Sequence, residues 1–505
     1  MLVVAPSAHL SVSFADSSPK RRGAISATKE GKSVFKIKRS ESSRTMDMTT
    51  GSILPKLVRF TIPLMVMGML QLLYNAADIV VVGHWGSENS LAAVSSTGAL
   101  INLIVNVFMG LSVGTSVVVS QHFGAGEMKD VSETVHTSIA TALISGVAVG
   151  IFGFCAARQM LVWMDSPDSV IDLSALYVKI YFIGMPANML YNFGAAVLRA
   201  VGDTKRPLYY LTVSGIVNVI LNLIFVIGFR MDVAGVALAT IISQLISAVL
   251  VTICLMRSDG AIRLYLRKIK IYPRKLVEIV KIGLPAGIQG SIFSISNVII
   301  QSSINAFGSA AMAGNGAAAN IEGFIYTAMN SVYQAAITFT GQNFGAKQYK
   351  RIKTIAFECM GFVVIVGMGL GLLAKAFDTQ LLGIYTDNTE EIAFGVVRMS
   401  VIMFAYFLDG TMDVLVGLLR GVGHSVLPTI TTIMFVCGFR ILWISTFFAQ
   451  YKLSHPDDPA ACLRILYMSY PISWTMATIS HFICFTVIYS GILKKVRDTE
   501  KSSIT

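Results

Sequence analysis

The chain repeats itself. Residues 185–207, MPANMLYNFGAAVLRAVGDTKRP, and residues 406–428, YFLDGTMDVLVGLLRGVGHSVLP, each close an apolar stretch with Arg-x-x-Gly and a proline. Arg199 and Arg420, Gly202 and Gly423, and Pro207 and Pro428 therefore stand 221 residues apart. The same offset carries Gln121, Phe123, Gly124 and Ala125 of SQHFGAG onto Gln342, Phe344, Gly345 and Ala346 of GQNFGA, and an offset of 222 carries Pro63 and Asn75 onto Pro285 and Asn297. A repeat this long marks a duplicated unit, so the fold must be built from two related halves.

Each half is apolar helix. The chain is 54% hydrophobic and only 13% charged, with a mean hydropathy of +0.67, where a soluble surface needs roughly a quarter charged. Apolar stretches long enough to cross a bilayer lie near 57–82, 92–120, 132–155, 171–198, 207–229, 234–256, 277–306, 310–341, 354–376, 392–419, 426–449 and 464–493. The sequence thus predicts an all-α polytopic membrane protein, with twelve transmembrane helices in two six-helix lobes related by internal duplication. Lys56, Lys129, Lys205, Arg206, the basic run 257–281, Lys347, Lys350, Arg351, Lys353, Arg420, Lys494, Lys495 and Arg497 precede the first span or follow the even-numbered ones. The alternate loops carry Glu88, Asp165, Asp168, Asp378, Asp387, Glu390, Glu391, Asp457 and Asp458. This asymmetry predicts cytoplasmic termini, and the expected location is the plasma membrane.

The net charge of +12 needs no nucleic-acid partner. Half of it sits in residues 1–45, which hold nine Lys and Arg against Asp16, Glu30 and Glu41, and the rest is spread over loops without interleaved aromatics. Residues 1–47 read as a disordered basic leader, a transit-like peptide or a start-site artefact upstream of Met46 or Met48. The N-terminal lobe is expected over 48–256, an inter-lobe linker over 257–276, the C-terminal lobe over 277–495 and a tail over 496–505. Alternating basic and apolar residues in RSDGAIRLYLRKIKIYPRK suit either a segment lying on the membrane surface or a solvated loop. Pro63, Pro186 and Pro285 each remove a helical hydrogen bond and permit a bend. The six cysteines have no close pair and read as packing residues.

A charge inside hydrocarbon costs at least roughly 2.5–3.5 kcal/mol, so each one is a candidate for function. In the first lobe that charge is Asp78, about four residues or roughly 6 Å from the outer end of its helix at 1.5 Å per residue. Asn218 and Asn222 on the fifth span and Thr240 on the sixth reach comparable depth, and the two asparagines share a face. A carboxylate among amide and hydroxyl oxygens suits a small hard cation or a proton, making Asp78 the candidate Na⁺ ligand as well. The alternative is that the three neutral residues only tie helices together. In the second lobe the repeat sets Asp409 and Asp413 opposite Asn188 and Asn192, and Ile300 opposite Asp78. Arg440 lies deep enough to pair with Asp409. That polar set either holds the lobe together or handles substrate or protons.

No nucleophile–base, metal-ligand or phosphate-cradling arrangement appears, which argues against an enzyme or a nucleotide-driven pump and predicts no cofactor. Two six-helix repeats around an isolated buried acid fit alternating access. The runs MTTGSILPKLVRFTIPLMVMGMLQLLYNAADIVVVGHWG, SQHFGAGE, LRAVGDTKRP, NVILNLIFVIGF, GQNFGAKQ and LRGVGHSVLP, spread over residues 48–495, resemble the multidrug and toxic compound extrusion (MATE) family. The resemblance implies two six-helix bundles around a central cavity and export of organic, often cationic, compounds coupled to H⁺ or Na⁺. It also implies that Asp78 is the coupling acid, with Asn218 and Thr240 at the same cation site. Asn222 departs from that pattern, because the family often has Asp there; so does the seventh span, GLPAGIQGSIFSISNVII, which lacks the Glu of one branch. The expected partners are small organic cations and the bilayer, acting on a monomer. A lipid-linked-sugar flippase of the same superfamily, a channel, and a transport-dead receptor are the alternatives.

Overall fold

The computed structural model describes residues 45–87, 89–164 and 167–502. The leader through residue 44 and the loop acids Glu88 and Asp165 lie outside them. Among the described residues every regular element is a helix. The first half comprises α1 (Leu54–Trp85), α2 (Ser90–Ala125), α3 (Met128–Trp163), α4 (Asp168–Ile183), α5 (Met185–Ala200), α6 (Lys205–Gly228) and α7 (Asp232–Met256). The second comprises α8 (Pro273–Asn305), α9 (Ser309–Gly345), α10 (Tyr349–Ala376), α11 (Thr389–Gly421), α12 (Val426–Ser454) and α13 (Pro459–Ser502).

Ten of these helices are long and apolar enough to cross a membrane singly, and α4 with α5, bent by 48°, makes an eleventh span. The twelfth predicted segment, 310–341, is the 37-residue α9. It is long enough to span, but Asn315, Asn320, Glu322, Asn330 and Gln334 leave it less apolar than the others. The sharp bend falls at Gly184, with Pro186 in the first turn of α5, where its missing N–H costs nothing. Pro63 and Pro285, by contrast, lie within unbroken α1 and α8.

The duplicated Arg-x-x-Gly is a duplicated helix stop. Gly202 (φ +88°) and Gly423 (φ +92°) both take the left-handed conformation that favours glycine. Gly202 N–H donates to Arg199 O at 2.8 Å and Asp203 N–H to Leu198 O at 2.9 Å. Gly423 and His424 repeat both bonds, to Arg420 O at 2.8 Å and Leu419 O at 2.9 Å. These turns satisfy carbonyls that the helix end would orphan, and Pro207 and Pro428 then sit in the first turn of the next helix.

The halves meet along α2 and α8. Gly110 and Gly114 of α2 face Gly283 and Gly287 of α8 so closely that a Cβ on Gly110 would lie 2.2 Å from the Gly287 nitrogen. Small residues let the backbones touch, the usual solution for helices in lipid. Further along, Asn106 Nδ2 donates to Ser294 Oγ at 3.2 Å and Ser291 Oγ to Leu103 O at 3.0 Å. α1 leans on α9, with Phe60 edge-on to Phe339 at 5.8 Å.

The segment between α7 and α8 is pinned to α3. Ile262 and Leu264 are buried in a cluster with Val131, Val135 and Ile139, and the backbone N–H groups of Tyr265 and Tyr272 donate to His136 Nε2 and Thr137 Oγ1, both at 3.1 Å. Only part of its apolar side is left facing outward, through Tyr265, Leu266 and Ile271. At its end the buried Lys275 meets Asp130 at 2.6 Å and Glu278 at 3.2 Å.

Candidate functional site

Asp78 lies at the wall of a cavity of about 120 Å³ enclosed by α1, α5, α6 and α7. Close approach of α1 and α6 places it there. Gly215 of α6 has no side chain to keep out the Tyr74 ring, and a Cβ at that position would fall 1.8 Å from Tyr74 Cε2. One turn further along each helix, Asp78 and Asn218 both line the cavity.

Two donors meet the carboxylate. Asn222 Nδ2 donates to Asp78 Oδ1, and the Thr240 hydroxyl donates to Oδ2 at 3.4 Å. Asn218 links them, donating to Thr240 Oγ1 at 3.5 Å and accepting from Asn222 Nδ2 at 3.4 Å. The four residues predicted from depth therefore form one network. Asn222 is fully buried, and its Oδ1 has no donor. Immediately after Asn222 the helix widens to π geometry over Leu223–Gly228, a local loosening that is frequent at functional sites.

Asn188 and Asn192 line the same cavity, with Asn192 Nδ2 donating to Asn188 Oδ1 at 3.0 Å. They thus join the Asp78 site, an association the repeat alone did not reveal. Gln71, Asn75 and Gln244 complete much of the polar lining.

The second half is organised differently. Asp409 and Arg440, predicted to be within pairing reach, form no ion pair. Arg440 donates through Nε to Ser473 Oγ at 3.0 Å and lays its guanidinium over the Tyr470 ring at 4.1 Å, leaving both terminal nitrogens without hydrogen-bond partners. Aromatic faces replace the carboxylate as its partner. Arg398 instead forms an ion pair with Glu322 in which both side chains are buried. Arg398 Nε and Nη2 donate to the two carboxylate oxygens at 2.7 and 2.6 Å, and Nη1 donates to Asn315 Oδ1 at 2.7 Å. Tyr467 donates to the same Asn315 oxygen at 3.2 Å. Arg398 was legible as a basic residue inside the 392–419 segment. Its partner is 76 residues away, beyond any helical spacing rule.

Comparison with known proteins supplies the deciding observation. The profile of the MatE family matches residues 63–224 and again 285–445, once in each half. The chain belongs to the MatE family. Proteins similar to it include the "Probable multidrug resistance protein YoeA" of Bacillus subtilis (strain 168), 26% identical over 441 residues that cover 84% of this chain and 95% of that protein. Another is the "Multidrug export protein MepA" of Staphylococcus saprophyticus, 22% identical over 383 residues, or 76% of this chain and 85% of the relative. Among solved structures, one of MATE in the straight conformation superposes with a TM-score of 0.81 at 21% identity, covering 88% of this chain and 98% of that one. The likeness shows the same fold. This MatE protein is thus a multi-pass membrane protein of a multidrug-efflux transporter family.

Proposed function

We propose that the chain is a secondary antiporter that exports organic cations in exchange for protons, by alternating access of its two lobes. The observation that carries this reading is the Asp78 carboxylate, met in a polar intramembrane cavity by two hydrogen-bond donors, Asn222 Nδ2 and Thr240 Oγ1. An acid at that depth is costly when charged. Taking up a proton removes the charge, so a proton gradient gains a differential hold on the two lobe arrangements. The same acid would give Na⁺ its charged ligand. Sodium is the second reading because Asn222 Oδ1 has no donor, and an amide turned about would offer that oxygen beside the carboxylate.

Asp409 and Asp413 of α11 supply the preference for cationic substrates, since Arg440 does not neutralise Asp409 by ion pairing. The basic loops put both termini on the cytoplasmic side of the plasma membrane, and the protein works as a monomer. Residues 48–256 and 277–495 are the two moving lobes. The reading is tested in proteoliposomes carrying separately imposed proton and sodium gradients, with a panel of organic cations. Proton release driven by a drug gradient is the expected result, and strict sodium dependence without a pH effect refutes proton coupling.

A further inference from the structure

Two glutamines bind the lobes to each other reciprocally. Gln121, at the end of α2 in the first half, donates through Nε2 to the carbonyl of Gly421, the last residue of α11 in the second half, at 2.8 Å. Gln342, at the end of α9 in the second half, donates through Nε2 to the carbonyl of Ala200, the last residue of α5 in the first half, also at 2.8 Å. The two donors are 221 residues apart, and so are the two acceptors. Each amide satisfies a carbonyl that its own helix end leaves orphaned. The two bonds are related by the internal symmetry.

The backbones beneath them interlock in the same reciprocal way. A Cβ on Gly124 would fall 2.0 Å from Gln342 O, and one on Gly345 would fall 1.9 Å from Gln121 O. Neither glycine has positive φ, so close approach, not backbone conformation, is what demands it. The chain ahead of α1 then crosses the joint. Met46 N–H donates to Val201 O of the first half at 3.3 Å, while Met48 donates to Gln342 Oε1 at 3.3 Å and accepts from Asn343 Nδ2 at 3.0 Å.

We infer that Gln121 and Gln342 form a two-fold clasp that sets how readily this end of the molecule opens, and that its release is a step of the transport cycle. Rocking the lobes apart at this end breaks both bonds together, because each joins one lobe to the other. Residues far from the ion and substrate sites thereby tune the balance between the two access states. The clasp rests on the alternating-access reading above, and the closing experiment separates the two.

Spin labels at Lys129→Cys and Lys350→Cys, exposed positions that correspond in the repeat, report the width of this end by pulsed EPR. The full chain is used with its six native cysteines replaced. The Gln121→Ala/Gln342→Ala variant is expected to gain a longer-distance population greater than the sum of the two single variants, because each surviving bond still holds the joint. Gly124→Ala and Gly345→Ala, which wedge the backbones instead of deleting a bond, are expected to shift the distances in the same direction while the protein still elutes as a single species. If the wild-type distances respond to a proton or sodium gradient with an organic cation but the double variant and both glycine variants match the wild type, the clasp is overturned and alternating access stands. Distances that stay fixed in every protein and condition overturn both.

Discussion

The two lobes share a backbone plan and differ where charge meets the membrane interior. In the first, Asp78 and Asn218 line a cavity and Asn222 is hydrogen-bonded to both. At the same offsets the second has Ile300, buried in the main apolar cluster, with Phe439 and Trp443, whose rings lie 5.7 Å apart. The second lobe also buries charges. It ties Arg398 to Glu322 and Asn315 with every guanidinium nitrogen engaged, while Arg440 rests on aromatic rings with both terminal nitrogens unbonded. A charge held as completely as that of Arg398 serves the fold; Asp78 is held only by two neutral donors. Duplication preserved helix stops and interlocking glycines, and left the polar interior of each copy to diverge.

The most severe way to break this contrast is Asp78→Asn. Export-linked resistance in drug-sensitive cells is expected to fall to background while membrane insertion is retained, and wild-type resistance in that variant would remove Asp78 from coupling. Next is Glu322→Gln, which strands the buried Arg398. Breaking such a pair costs about 3–5 kcal/mol, so the unfolding midpoint in detergent should drop sharply, with Glu322→Leu/Arg398→Leu recovering much of it. An unchanged midpoint would contradict a structural role for the pair. Asn222→Asp adds a second carboxylate beside Asp78 and should tighten apparent sodium affinity by about tenfold, worth roughly 1.4 kcal/mol; sodium titration of transport reads this directly. The smallest effect is expected from removing residues 1–45, which should leave transport unchanged. Loss of insertion would show that segment to be a targeting element.

Much of this contrast was legible in the sequence because it is written in local terms. Arg-x-x-Gly-x-x-x-x-Pro announces a helix stop wherever it occurs, and the offset of 221 residues announces two of them. The depth of Asp78, Asn218, Asn222 and Thr240 could be counted along single helices, and those four residues do meet. What could not be read were relations between helices. The bend of 48° between α4 and α5 carries Asn188 and Asn192 to the Asp78 cavity, and nothing in their spacing says so. Asp409 and Arg440 have suitable depths but not a shared contact, because the rings of Tyr470, Phe293 and Trp474 surround the guanidinium. The glutamines of the two SQHFGAG-like motifs stood out as repeats. Their acceptors lie 300 and 142 residues away, a pairing that only the folded chain brings about.

The strap formed by Met46 and Met48 bears on how the protein can be handled. Met48 is fully buried and Met46 sits against Gly202, where a Cβ would come within 2.7 Å of the Met46 side chain. Thr45, just ahead of Met46, is exposed, so a bulky substitution at Met48, rather than a group joined ahead of Met46, is what would wedge the seam between the lobes.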